Sequence, residues 1–151
     1  MQKKVFVDTS ALILLSKINK LEILHLVYGT VFTTKYVLIE FGNDLPNWIV
    51  VDNSDCEKYK FPTLGKGEES LCSLAIDKTS IYLILDDLKA RKIAAVYKIS
   101  FTGTIGILIA AKKLGYIHSV KQILEKINST NFRISLEIQL KALKLAGEDL
   151  K

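Results

Sequence analysis

Lys4-Val5-Phe6-Val7-Asp8-Thr9-Ser10-Ala11-Leu12 joins a short apolar run to a carboxylate and then, at once, to a helical pattern. Val5 to Val7 reads as a buried strand. Ser10 is placed to cap a helix from Ala11 to about Ile18, with Leu12, Ile13, Leu15 and Ile18 as its apolar positions. A buried strand that ends in an acid delivers that acid to the carboxyl edge of a sheet, which is where open parallel sheets bind ligands. Asp8 is therefore the residue against which the other acids are read.

The design recurs further on. Ile81 to Leu85 is an almost unbroken apolar run ending in Asp86 and Asp87, and Leu88 to Tyr97 follows as a helix. Arg91 stands one turn beyond Asp87, a spacing that permits an ion pair. Between these units, Leu21, Leu24, Leu26 and Val27 predict a helix closed by Gly29, Thr30 to Thr34 a second strand, and Trp48 to Val51 a third. Lys35 to Phe41 reads as a short helix ended by Gly42 and Asn43. It leaves Glu40 at a helix C-terminus, where the dipole disfavours an acid by about 0.3 to 1 kcal/mol, so a cation or exposure to water should compensate. After a connection over 52–67, Glu68 and Glu69 open a helix containing Leu71, Leu74 and Ala75.

Ser100 to Thr102 reads as a fifth strand before Gly103 and Thr104, and Ile105 to Leu114 as a deeply buried helix ending at Gly115. Val120 to Ile127 and Leu136 to Ala146 are amphipathic and bring no new strand. Strands alternating with helices imply a parallel sheet with right-handed crossovers. The expected architecture is one α/β domain over 1–151, with about five parallel strands flanked by helices in a core of about 4–115 and a C-terminal helical extension of about 117–151.

Composition agrees with one such domain: of 151 residues, 49% are hydrophobic, enough to fill a core without disulfides. Cys56 and Cys72 are too far apart for a Cys-x-x-Cys motif, and His25 and His118 have no neighbouring ligands, which argues against zinc. The longest late apolar stretch, Ile105 to Ala111, is far short of the roughly 20 residues that cross a bilayer, so a cytoplasmic protein with no membrane partner is expected. The formal net charge of +5 suits a polyanion without establishing one.

If the first strand is central and the strand ending at Asp86 is its neighbour across the reversal of strand order, Asp8 and Asp86 meet at one crevice, and Glu40 and Glu68 close the ring. Two like charges about 4 Å apart repel by roughly 4 kcal/mol at an effective dielectric near 20. Such a cluster therefore binds cations or keeps protons. Oxygen donors without His or Cys suit Mg²⁺ or Mn²⁺, and these ions support phosphodiester hydrolysis. Each residue also has an ordinary reading. Asp8, Ser10 and Asp87 are possible helix caps, Glu68 and Glu69 first-turn acids, and Glu40 a solvated surface group.

Val-Phe-Val-Asp-Thr-Ser, the isolated Glu40, Gly-Lys-Gly-Glu, Leu-Ile-Leu-Asp-Asp-Leu-Lys-Ala-Arg and Thr-Gly-Thr-Ile-Gly-Ile-Leu together resemble the PIN-domain nuclease superfamily, in a prokaryotic branch related to VapC toxins. The resemblance spans about Val5 to Leu114. It implies a three-layer fold and a metal-dependent endoribonuclease using Mg²⁺ or Mn²⁺, with Asp8, Glu40, Glu68 and Asp86 as catalytic, metal-holding acids. Glu69 and Asp87 stand next in register to two of these, and Asp87 is a further candidate ligand. Ser10 and Thr104 would support the site, and Lys66, Lys89, Arg91 and Lys92 are candidates for holding RNA. The resemblance further implies a toxin restrained by a small antitoxin and a homodimer. An RNA-processing nuclease outside such a pair, or a PIN-like protein-interaction module of weak or no activity, are the alternatives.

Overall fold

A computed structural model describes residues 3–148; the ends of the expected domain and extension, 1–2 and 149–151, lie outside the described residues. The elements run β1 (Lys4–Val7), α1 (Thr9–Lys17), α2 (Glu22–Tyr28), β2 (Val31–Thr33), α3 (Lys35–Phe41), β3 (Ile49–Val51), α4 (Lys66–Ala75), β4 (Ile81–Ile84), α5 (Leu88–Val96), β5 (Ser100–Thr102), α6 (Thr104–Lys113), α7 (Val120–Asn128) and α8 (Leu136–Leu145). The five strands form one wholly parallel sheet in the order β3-β2-β1-β4-β5, flanked by helices. This is the three-layer α/β arrangement expected.

Why the central strands are so apolar follows from their position. Phe6, Val7, Leu83 and Ile84 are buried, as strands covered on both faces require. The chain winds outward from β1 through β2 to β3, then returns to the other side of β1 as β4. Strand order therefore reverses between β1 and β4, and Val7 pairs with Ile84. That register brings the two strand ends, and the acids that follow them, side by side. The hydroxyl of Thr33 donates to the Val7 carbonyl at 2.9 Å, tying β2 to the same end of β1.

Two local expectations are corrected. Ser10 does not cap α1. The cap is Asp8, whose backbone is still extended (ψ 169°) and whose carboxylate accepts from the Ala11 N–H, while Ser10 lies inside the first turn. The helix begins immediately where the strand stops, so the strand-end acid reaches the free amides first. Nor do Asp87 and Arg91 pair. Asp87 folds back to cap α5 through the Ala90 N–H, and the Arg91 Nε donates to the Leu85 carbonyl at 2.7 Å.

The two late helices do cover the core, with α8 packed on both α6 and α7. Glu148 fastens them: its carboxylate accepts from the Val120 and Lys121 N–H groups at the start of α7 and lies 3.1 Å from the Lys112 ammonium. Among the described residues, no helix is long and apolar enough to cross a membrane.

Candidate active site

Asp8 is completely buried, and both carboxylate oxygens are already engaged: Oδ1 accepts from Ala11 N at 2.8 Å and Oδ2 from Asp86 N at 2.9 Å. The bond to Asp86 is the direct product of the β1–β4 register. Burial, then the charge of Asp86, then that of Glu68 outweigh these two N–H groups and raise the Asp8 carboxyl to about 7.

Asp86 itself is exposed at the mouth of the crevice. It is aimed by Thr104, whose backbone N–H donates to Oδ1 at 2.8 Å and whose hydroxyl donates to Oδ2 at 2.5 Å. Thr104 opens α6, so the acid sits at the positive end of a helix. The sequence set Thr104 beside the candidate site; the structure adds its two hydrogen bonds to Asp86.

Glu40 resolves its awkward position without a cation. It is exposed, as the sequence allows, and it reaches across to two other helix starts. The Thr9 hydroxyl donates to Oε1 at 2.6 Å, and the Gly67 N–H donates to Oε2 at 3.1 Å. Glu68, half-buried beside it, has its carboxyl pushed up by burial, with the charges of Glu40 and Asp87 adding to the effect.

The acids next in register also have partners of their own, and the charge of Asp87 still bears on Glu68. Glu69 turns away to accept from the Phe61 N–H at 2.7 Å, which, with the Lys66 ammonium 3.4 Å away, holds its carboxyl below the usual range. Asp87 is the α5 cap. Asp8 thus has the charges of Asp86 and Glu68 for neighbours, with Glu40 one step further round.

Glycines make these approaches possible. A Cβ on Gly67 would run into the Glu40 carboxylate and stand 3.0 Å from the Thr9 hydroxyl; one on Gly103 would meet the Arg91 guanidinium and stand 2.7 Å from Asp86 Oδ1. Gly67→Ala is accordingly expected to separate stability from function. Alanine favours a helix over glycine by about 1 kcal/mol, which offsets part of the clash, while Glu40 is displaced. Mn²⁺ affinity should fall about tenfold or more with the thermal midpoint within a few degrees, the scale on which lost supporting contacts act. A variant that binds Mn²⁺ as tightly as wild type would dismiss Glu40 from the site.

Sequence reasoning missed Thr9, Gly67 and Gly103 as site residues. The Gly-Lys-Gly-Glu and Thr-Gly-Thr stretches carried the signal for the glycines, whereas Thr9 acquires its partner only when α3 packs beside α1. Of the cationic candidates, Lys66 is drawn into its ion pair with Glu69 and over the Tyr36 ring, Lys89 and Lys92 are exposed on α5, and Arg91 is half-buried and turned inward. Ser10 is half-buried and lines the groove that Asp86 also borders.

Among the described residues, no three Asp, Glu, His or Cys side chains converge as a ready-made metal cage. The donor chemistry nevertheless fits a hard cation held by one or two carboxylates and completed by water, as Mg²⁺ commonly is. An acid raised first by burial and then by the charges of Asp86 and Glu68 is one whose ionised form such an ion stabilises.

A family model described as PIN domain matches residues 4–148. The chain belongs to the PIN-domain family. The match takes in α7 and α8, so the helical tail lies within the stretch that the family describes. No curated protein and no solved structure matches the chain. A PIN domain is a nuclease-type fold, and PIN domains generally use divalent metals.

Proposed function

We propose that this PIN-domain protein is a divalent-metal-dependent endoribonuclease. The observation that carries the reading is the Asp8–Asp86 pair, a fully buried strand-end carboxylate held against the amide of a second strand-end acid at the point where strand order reverses.

Asp8 and Asp86 would hold Mg²⁺ or Mn²⁺, with Glu68 and Glu40 acting on it through the waters that complete its shell. The ion, when bound, supplies positive charge that offsets the carboxylates and the phosphate and lowers the pKa of water. The chain does the positioning. Thr104 fixes both oxygens of Asp86, Thr9 and Gly67 fix both oxygens of Glu40, and the start of α1 fixes Asp8. Asp8 is dry and Asp86 is open to solvent, so RNA approaches from the Asp86 side. Its phosphates would be met by Arg91 and, further out on α5, by Lys89 and Lys92; Lys66 would have to leave Glu69 to take part.

The reading extends to biology through the resemblance to VapC-related proteins: a cytoplasmic toxin, homodimeric and restrained by a small antitoxin. Induced expression that halts growth, relieved by the product of a small neighbouring gene, would support this; harmless expression would favour an RNA-processing role.

The direct test is incubation of a mixed structured-RNA pool with purified protein and Mg²⁺, Mn²⁺ or chelator. Cleavage confined to the metal-containing reactions is expected. Equal cleavage in chelator would overturn the metal reading, and no cleavage together with no Mn²⁺ binding would leave a protein-interaction module.

A further inference from the structure

A groove of about 800 Å³ opens from the acidic crevice and runs along the helical tail. Ser10, Asp86 and Thr104 lie at its inner end, while Arg133 and Lys141, from the chain leading into and through α8, line the other side. Pockets enclosing small ligands span roughly 300 to 1,000 Å³, so the groove has room for a short run of nucleotides.

Its charge is divided. The acids bordering it, Asp86 and Asp87, belong to the crevice, and the other charged lining residues are the cations Arg91, Arg133 and Lys141. None of these three has a carboxylate partner among the described residues. Two are also held in place by backbone carbonyls. Arg91 is anchored through Nε to Leu85 and lies over the Phe101 ring at 5.5 Å, and Arg133 Nη1 donates to the carbonyls of Thr130 at 2.6 Å and Phe132 at 3.1 Å. A guanidinium fixed in this way still presents donors that match phosphate geometry, and it loses less freedom on binding than a loose one. A phosphate approaching the acidic crevice is repelled by it, so counter-charge along the groove decides where the strand lies.

We propose that residues 132–145 form the outer wall of the substrate groove. Arg133 and Lys141 bind phosphates on one side of the scissile bond, and Arg91 is the inner clamp beside Asp86. The proposal rests on the ribonuclease reading and adds to it a binding subsite built by the tail.

The test is fluorescence anisotropy with a fluorescein-labelled single-stranded oligoribonucleotide, in an Asp86→Asn background that prevents cleavage, at fixed low Mg²⁺ and varied KCl. Arg133→Ala/Lys141→Ala should weaken binding about tenfold or more at low salt. It should also reduce the slope of log affinity against log salt by about 1.4, at about 0.7 for each phosphate contact on a single strand. Arg133→Lys/Lys141→Arg should keep the slope, and Lys113→Ala/Lys126→Ala, on exposed positions of α6 and α7, should match the parent. Parent-like affinity and slope in the double alanine variant would overturn the subsite while leaving the nuclease reading intact. Failure of the parent to bind RNA at all would overturn both.

Discussion

Asp86→Asn is expected to reduce RNA cleavage by roughly a hundredfold to a thousandfold, the scale on which single preorganised electrostatic groups act. Asparagine keeps the size but removes the charge, and it replaces one acceptor with an NH₂ group. Thr104 presents two donors to Asp86, its N–H and its hydroxyl. The amide oxygen can accept from the Thr104 N–H while its NH₂ group donates to the Thr104 hydroxyl, which also accepts. Cation affinity is lost while the side chain keeps its aim. Thr104→Val leaves the carboxylate charged but removes the hydroxyl, so a smaller loss of about 10- to 100-fold is expected, with recovery in Thr104→Ser. Initial cleavage rates at saturating Mg²⁺ test the series. If Asp86→Asn cuts as fast as wild type, the acidic crevice is not where RNA is hydrolysed.

The metal-free protein should lose stability as pH rises from about 5 to 7. Folded, Asp8 holds its proton up to about 7; unfolded, it releases it near 3.8. Between those values the native state binds a proton that the unfolded state does not, so stability falls with rising pH and the loss is complete above about 7. A shift of this size corresponds to a few kcal/mol. Glu68, also raised, acts in the same sense. Asp52, Glu69, Asp77 and Glu148 are held below their ordinary values and act oppositely, but they are ionised in both states by about pH 5. Urea midpoints from pH 5 to 7.5 should therefore decline in chelator, recover on adding Mn²⁺ at pH 7.5, and flatten in Asp8→Asn. A wild-type midpoint that climbs across this range would show that burial and the neighbouring charges do not raise the Asp8 carboxyl in the folded protein.

The sheet was legible because strands covered on both faces must be continuously apolar, so β1 and β4 declare themselves and their terminal acids stand out. Their register is not legible: nothing in Val5 to Val7 says that Val7 lies opposite Ile84, and that pairing decides whether Asp8 and Asp86 touch. Ser10 looked like a cap because it is a hydroxyl residue directly before an apolar helical pattern. Asp8, which the sequence also offered as a cap, takes that place while facing the crevice, so two readings that stood as alternatives hold together. The Asp87–Arg91 spacing obeyed a sound helix rule and lost to stronger local partners, a free amide for the acid and a strand-end carbonyl for the arginine. Glu40 could be seen as an acid out of place, but the donors that accommodate it come from α1 and α4, 31 and 27 residues away. The amphipathic tail announced that it covers something, and only its docking on α6 shows what.

The bond from the Asp86 amide to Asp8 spans 78 residues, and Thr104, which aims Asp86, comes later still. A ribosome has made most of the chain before these groups can meet. Loop closure over such distances also comes late in folding, because its entropy must be met before the contact rewards it. An early fragment carrying β1 and its acid has no second strand end to press against. The acidic site therefore assembles only in a chain that has been synthesised into α6 and folded across the sheet, and products that stop short of Thr104 lack it.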